Sequence, residues 1–102
     1  MVSALSTREM AAARRGVPRV LHHDIAIAGL DAAHDGLRIG HLTDLHVGLL
    51  TPFRKIRSAI ELIEAERPDL LVLTGDYLCY SPKFTPVLRD LLANIHTPIY
   101  AV

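Results

Sequence analysis

The sequence predicts an α/β fold built on a parallel sheet, and three observations carry that prediction. From residue 37 onward, short apolar runs alternate with amphipathic stretches in the order strand, helix, strand, helix, strand. The links between them are short, which implies right-handed crossovers within one sheet. Prolines stand where elements should begin or stop. At 102 residues the chain is one domain at most.

Residues 1–17 are Ala-rich with Arg8, Arg14 and Arg15, and read as a frayed helix of weak periodicity. Residues 1–19 are accordingly expected to form a poorly ordered extension ahead of a domain over 20–102. From Val20 the period changes to two, and Ile25 and Ile27 alternate with small or polar residues as in a strand running to about Ala28. Gly29 and Asp31 end it, and Ala32 to Gly36 is rich in turn-forming residues. Leu37 to Leu42 alternates again and runs directly into Thr43-Asp44-Leu45-His46.

After Gly48, Phe53, Ile56, Ile60 and Ile63 recur at helical spacing, with Thr51 placed as N-cap and Pro52 at the first helical position. Pro68 stops that helix. Leu70-Leu71-Val72-Leu73 then reads as a fully buried strand that ends in Thr74-Gly75-Asp76. Thr85-Pro86 repeats the cap-and-proline start, and Val87, Leu88, Leu91, Leu92 and Ile95 line one face of a second helix. A last strand follows Pro98, from Ile99 to Val102.

Composition narrows the function. Half of the residues are hydrophobic and 22% charged, enough for a packed core. Eleven Lys and Arg balance eleven Asp and Glu, so nothing in the net charge supports nucleic-acid binding. Cys79 is alone, and a reducing, cytoplasmic setting is the default, with the periphery of an inner membrane as the alternative. No apolar stretch approaches the ~18 residues of a membrane span, and no export signal is read in Met1 to Val20.

Two strands end in side chains able to hold a metal: Asp44 and His46 after one, Asp76 after the next. In a parallel sheet both ends lie on the edge where ligands bind. Skipping one residue in an extended segment points Asp44 and His46 the same way, so a carboxylate and an imidazole can meet one cation. Gly48 and Gly75 allow backbone turns that side chains would obstruct. This chemistry suits hydrolysis of a phosphate ester by a metal-activated hydroxide. Asp after a strand is also a common turn former; what favours the metal reading is the whole series of strand, TDLHVG, amphipathic helix, Arg67-Pro68-Asp69, strand and Thr74-Gly75-Asp76.

That series resembles the calcineurin-like metallophosphoesterases, over roughly Leu37 to Val102. The resemblance implies the N-terminal part of a four-layer α/β/β/α sandwich, incomplete in this chain, and a dinuclear centre of Mn, Fe, Zn or Co. Asp44 and His46 would bind one metal and Asp76 would bridge two. The family's later ligands would follow beyond Val102, so the chain is expected to be an N-terminal fragment that holds at most one cation weakly and is inactive alone. An uncovered sheet face would then promote self-association. The purple acid phosphatase branch looks different, because it has Gly where His46 stands. DLHVG and the upstream strand look more like bacterial, membrane-associated phosphoesterases that hydrolyse lipid precursors. The expected partner is a phosphate mono- or diester, a lipid precursor or a nucleotide.

Arg54, Lys55 and Arg57 put positive charge into the first turns of a helix, against the macrodipole, and are candidates for attracting an anionic substrate. His41 reads as a packing residue or one that supports a ligand, and His22, His23, His34 and His96 as solvent-facing. A different class of function is a non-catalytic scaffold of the same fold. A nucleotide-binding domain fits poorly, because the six glycines form neither a dinucleotide fingerprint nor a P-loop.

Overall fold

The computed structural model describes residues 1–7, 18–48, 53–78 and 82–102. Five strands form one mixed sheet: Val2–Thr7 (β1), Val20–Ile25 (β2), Arg38–Thr43 (β3), Leu70–Thr74 (β4) and Ile99–Ala101 (β5). Their spatial order is β2-β1-β3-β4-β5. β1, β3, β4 and β5 run parallel, and β2 lies antiparallel at the edge. Phe53–Ala65 (α1) joins β3 to β4, and Thr85–Ala93 (α2) joins β4 to β5. Both crossovers step the same way across the sheet, so right-handed connections put both helices on one face.

Alternation explains which side chains meet those helices. Gly40 and Leu42 of β3 are buried and stand in register with Leu71 and Leu73 of β4, while Ile39, His41, Leu70 and Val72 face the other way and are half-buried. α1 lays Ile56, Ala59, Ile60 and Ile63 against this surface, and Leu91 of α2 completes the core. The fit is tightest at Gly40, where a Cβ would stand 2.3 Å from Leu71 Cδ2 and 3.0 Å from Ile63 Cγ1. Glu64 of α1 also accepts hydrogen bonds from the amide and hydroxyl of Thr97, tying the helix to the approach to β5. On the open side of the sheet Ile25 and Tyr100 are exposed.

Three elements differ from the sequence reading. Val2–Thr7 is a strand, not part of a frayed helix: Ser3 donates to the Leu37 carbonyl at 2.9 Å, and the strand lies between β2 and β3. Pairing with distant strands overrides the local helical preference of an Ala-rich segment; residues 8–17 lie outside the described residues. The strand beginning at Val20 ends at Ile25, not Ala28. At α2 the N-cap is Phe84, with no side-chain cap bond, because a 3-10 turn over Pro82–Phe84 runs into the helix and carries Thr85 inside it. The Thr51 cap and Cys79 fall outside the described residues.

Phe53 was expected on the buried face of α1 and is instead 36% exposed, its ring edge-on to Phe84 at 6.4 Å. The contact joins the N-terminal ends of the two helices beside the carboxyl edge of the sheet.

Candidate metal centre

β3 ends at Thr43 and β4 at Thr74, side by side in the register. Beyond them the two segments stay paired. Asp44 donates its amide to the Thr74 carbonyl at 3.3 Å, His46 to the Asp76 carbonyl at 2.9 Å, and Val47 to the Tyr77 carbonyl at 2.9 Å. Val47 and Leu78 form a further parallel bridge. The loops that carry the three candidate donors are therefore one unit rather than two independent strand ends.

The local conformation is not the extended one expected. Asp44 and His46 both have left-handed backbones, with φ of 54° and 48°. Leu45 between them is 1% exposed and belongs to the core. Leu42 and Leu45 are three residues apart yet both belong to the one core cluster, which strict alternation cannot give; the left-handed turns fall on Asp44 and His46, and Asp and His are among the residues that tolerate this region. Gly75, ahead of Asp76, has φ of 66° and needs no such tolerance.

The result is a convergent donor set. His46 Nε2 stands 3.4 Å from Asp44 Oδ1 and 3.9 Å from Asp76 Oδ2. One ligand atom from each of the three residues lies within 4.8 Å of the others. Two ligands about 2.1 Å from a shared cation stand roughly 3 Å apart at a right angle and about 4.2 Å apart across it. Two carboxylates and an imidazole gathered this closely could hold a divalent cation, with small side-chain adjustments bringing the widest pair into range.

Supporting contacts complete the site. The Thr43 hydroxyl is 2.7 Å from Asp44 Oδ2 and 2.7 Å from the Thr74 carbonyl oxygen. That hydroxyl, followed by the imidazole of His46, holds the Asp44 carboxyl below the usual carboxylate range. His41 Nε2 lies 2.7 Å from Thr74 Oγ1, at the end of the strand that leads to Asp76. Thr43 was not singled out from sequence. The only available signal was a hydroxyl residue adjoining a candidate ligand.

The other candidates are placed less closely. Arg54 is exposed and Lys55 half-buried in the first turn of α1. Arg57 lines a groove of ≈ 320 Å³ between α1 and α2, together with Glu61, Glu64 and Asp90. His22, His23, His34 and His96 are exposed, and His22 pairs with Glu66 at 3.1 Å.

A mixed α/β sheet with two carboxylates and an imidazole gathered at the carboxyl ends of adjacent parallel strands belongs to the class of folds that bind ligands, here a candidate cation, at that edge. Residues 37–102 match the calcineurin-like phosphoesterase family, and the chain belongs to it. Among curated relatives it is 37% identical over 65 residues to the UDP-2,3-diacylglucosamine pyrophosphatase LpxG of Chlamydia trachomatis. It is 31% identical over 65 residues to the protein of the same name from Chlamydia muridarum. Each alignment covers 63% of this chain and 20% of the relative, so the chain spans about a fifth of the length of the relatives it matches. No solved structure matches it. No helix among the described residues is long and apolar enough to cross a membrane.

Proposed function

We propose that this chain carries the first metal-binding half of a phosphoester hydrolase, with Asp44 and His46 as ligands of one cation and Asp76 as the carboxylate that bridges to a second. The observation that carries the reading is the convergence of their three donor atoms within 4.8 Å. Bound cations of this class supply Lewis acidity toward a phosphoryl oxygen and a nucleophile at neutral pH. The chain's own part is to hold three donors in place and to leave the carboxyl edge of the sheet open to substrate: Asp44 is 52% and Asp76 70% exposed in their side chains.

The substrate proposed is a phosphate ester or anhydride on a lipid precursor, supported by the diacylated sugar nucleotide in the relatives' names. Arg54, Lys55 and Arg57 would draw that anion toward the loop after β3, and charge reversal at the three should weaken its binding without touching the donors. The single Cys79 is in keeping with a reducing, cytoplasmic setting. Self-association through the open sheet face, where Ile25 and Tyr100 are exposed, belongs to the same proposal. A monomer by light scattering at micromolar concentration would count against it.

Calorimetric titration with Mn2+ tests the site directly. Saturable binding by the chain, abolished by Asp76→Asn and by His46→Ala, is the expected result. Binding that survives both substitutions would sink the reading. Among the described residues these three donors form the one such group, which leaves the second cation unplaced, so this chain alone should not hydrolyse an aryl phosphodiester. Metal-dependent turnover lost on Asp76→Asn would show that it needs no further ligands.

A further inference from the structure

Thr43 is the last residue of β3, and its side chain has a choice of acceptors. One hydroxyl hydrogen faces two oxygens at 2.7 Å, Asp44 Oδ2 and the Thr74 carbonyl. A hydrogen bond to an ionised carboxylate is roughly twice as strong as one between neutral groups, so the hydrogen belongs to Asp44 while that residue is charged. The Thr74 carbonyl has another donor in the Asp44 amide at 3.3 Å. With Oδ2 taken by Thr43, the other oxygen of Asp44 is the one that faces His46, at 3.4 Å. Asp44 is 52% exposed in its side chain. Packing therefore does little to select its rotamer, and a hydrogen bond must do it.

We propose that Thr43 is a positioning residue whose hydroxyl fixes the Asp44 carboxylate in the rotamer that turns Oδ1 toward His46 and Asp76, so that the donors of a divalent cation are ordered before the cation arrives. The inference rests on the reading of Asp44, His46 and Asp76 as a cation site. Thr43 touches neither cation nor substrate in this role. It acts through Asp44.

Two readouts on the full chain test it, one without metal. Three-bond couplings of the Asp44 side chain, measured by NMR on metal-free protein, should report a single rotamer in the wild type and in Thr43→Ser, and averaging in Thr43→Val. The Mn2+ dissociation constant should rise on the order of 10-fold in Thr43→Val, while Thr43→Ser stays close to wild type. Thr74→Val is the control, because it removes the 2.7 Å contact with His41 but keeps the Thr74 carbonyl; both readouts should be unchanged by it. If Thr43→Val fails to fold, Thr43→Ala is read in its place.

An Asp44 rotamer that stays fixed without the hydroxyl overturns the proposal. So does an equal loss of Mn2+ affinity in Thr43→Val and Thr74→Val, which would mark a general loosening of the β3 to β4 pair. A wild-type chain that binds no Mn2+ brings down the metal reading and with it the role assigned to Thr43, even where the couplings show that the hydroxyl orders Asp44.

Discussion

Gly40→Ala puts a methyl group where α1 and β4 leave no room. Its Cβ would stand 2.3 Å from Leu71 Cδ2, 3.0 Å from Ile63 Cγ1 and 3.4 Å from Pro68 Cβ. Leu71 and Ile63 are both 0% exposed, so neither side chain can swing aside into solvent. Overpacking a close-packed core typically costs about 1–3 kcal/mol. Replacing Gly by Ala returns roughly 0.4–1 kcal/mol through the unfolded chain. The net expectation is a loss of about 1–2 kcal/mol. With a urea m-value of about 1–3 kcal/mol/M, the midpoint should fall by roughly 0.3–2 M at unchanged slope.

A double-mutant cycle separates overpacking from a general weakness of the strand. Leu71→Ala alone empties a core site and should cost about 2–5 kcal/mol. In that background the nearest clash is gone, so Gly40→Ala should cost less than half of what it costs in the wild type, a coupling on the order of 1 kcal/mol. A midpoint that Gly40→Ala leaves unchanged or raises, or strictly additive effects in the cycle, would refute the reasoning.

The remaining predictions concern single contacts. Arg67 closes α1 with a left-handed backbone, φ 53°, where glycine is the usual residue; Arg67→Gly should stabilise the chain by about 0.5–1 kcal/mol, seen as a rise in melting temperature. The Tyr77 hydroxyl lies 2.9 Å from the Leu73 carbonyl and 2.5 Å from the Val102 carbonyl, joining β4 to the end of β5. Tyr77→Phe should speed amide exchange at Ala101 and Val102 while exchange in β3 stays as it was. Asp44 has its carboxyl held below the usual range, first by Thr43. A depressed pKa contributes stability above the unfolded value, ~3.9, and that contribution is lost as pH falls through the folded one. An NMR titration should place the Asp44 midpoint below that of a free Asp, and a midpoint at or above it would contradict the geometry.

The parts of this fold legible in the sequence are those whose signal is a burial period. Ile56, Ile60 and Ile63 recur as one helical face because they pack on one surface, and Pro68 marks the stop because it cannot continue the helix. The run Leu70 to Leu73 is apolar on both faces, and both faces of β4 are at least half-buried. Val2–Thr7 escaped because its fate is set by partners 13 to 35 residues away in register, not by its own composition. The donor residues were legible as a motif, but their conformation was not. An extended Asp-x-His and a twice-kinked one have the same letters, and what separates them is that Leu42 and Leu45, three residues apart, both enter the core.

That difference bears on how the site works. Two consecutive strand ends could present donors on flexible, extended tails, and each donor would then be ordered at the expense of the cation's binding energy. Here Asp44 and His46 occupy a backbone region that costs about 1–2 kcal/mol per residue for an L side chain. They are held there by amide hydrogen bonds to Thr74 and Asp76 and by Leu45 in the core. Strain of this kind persists only where the surroundings over-determine it. The same amide of His46 that fixes its backbone bonds the carbonyl of Asp76, at 2.9 Å. The two motifs are thereby locked to each other before any ligand is present, and the distance between an imidazole on one strand end and a carboxylate on the next is a property of the fold.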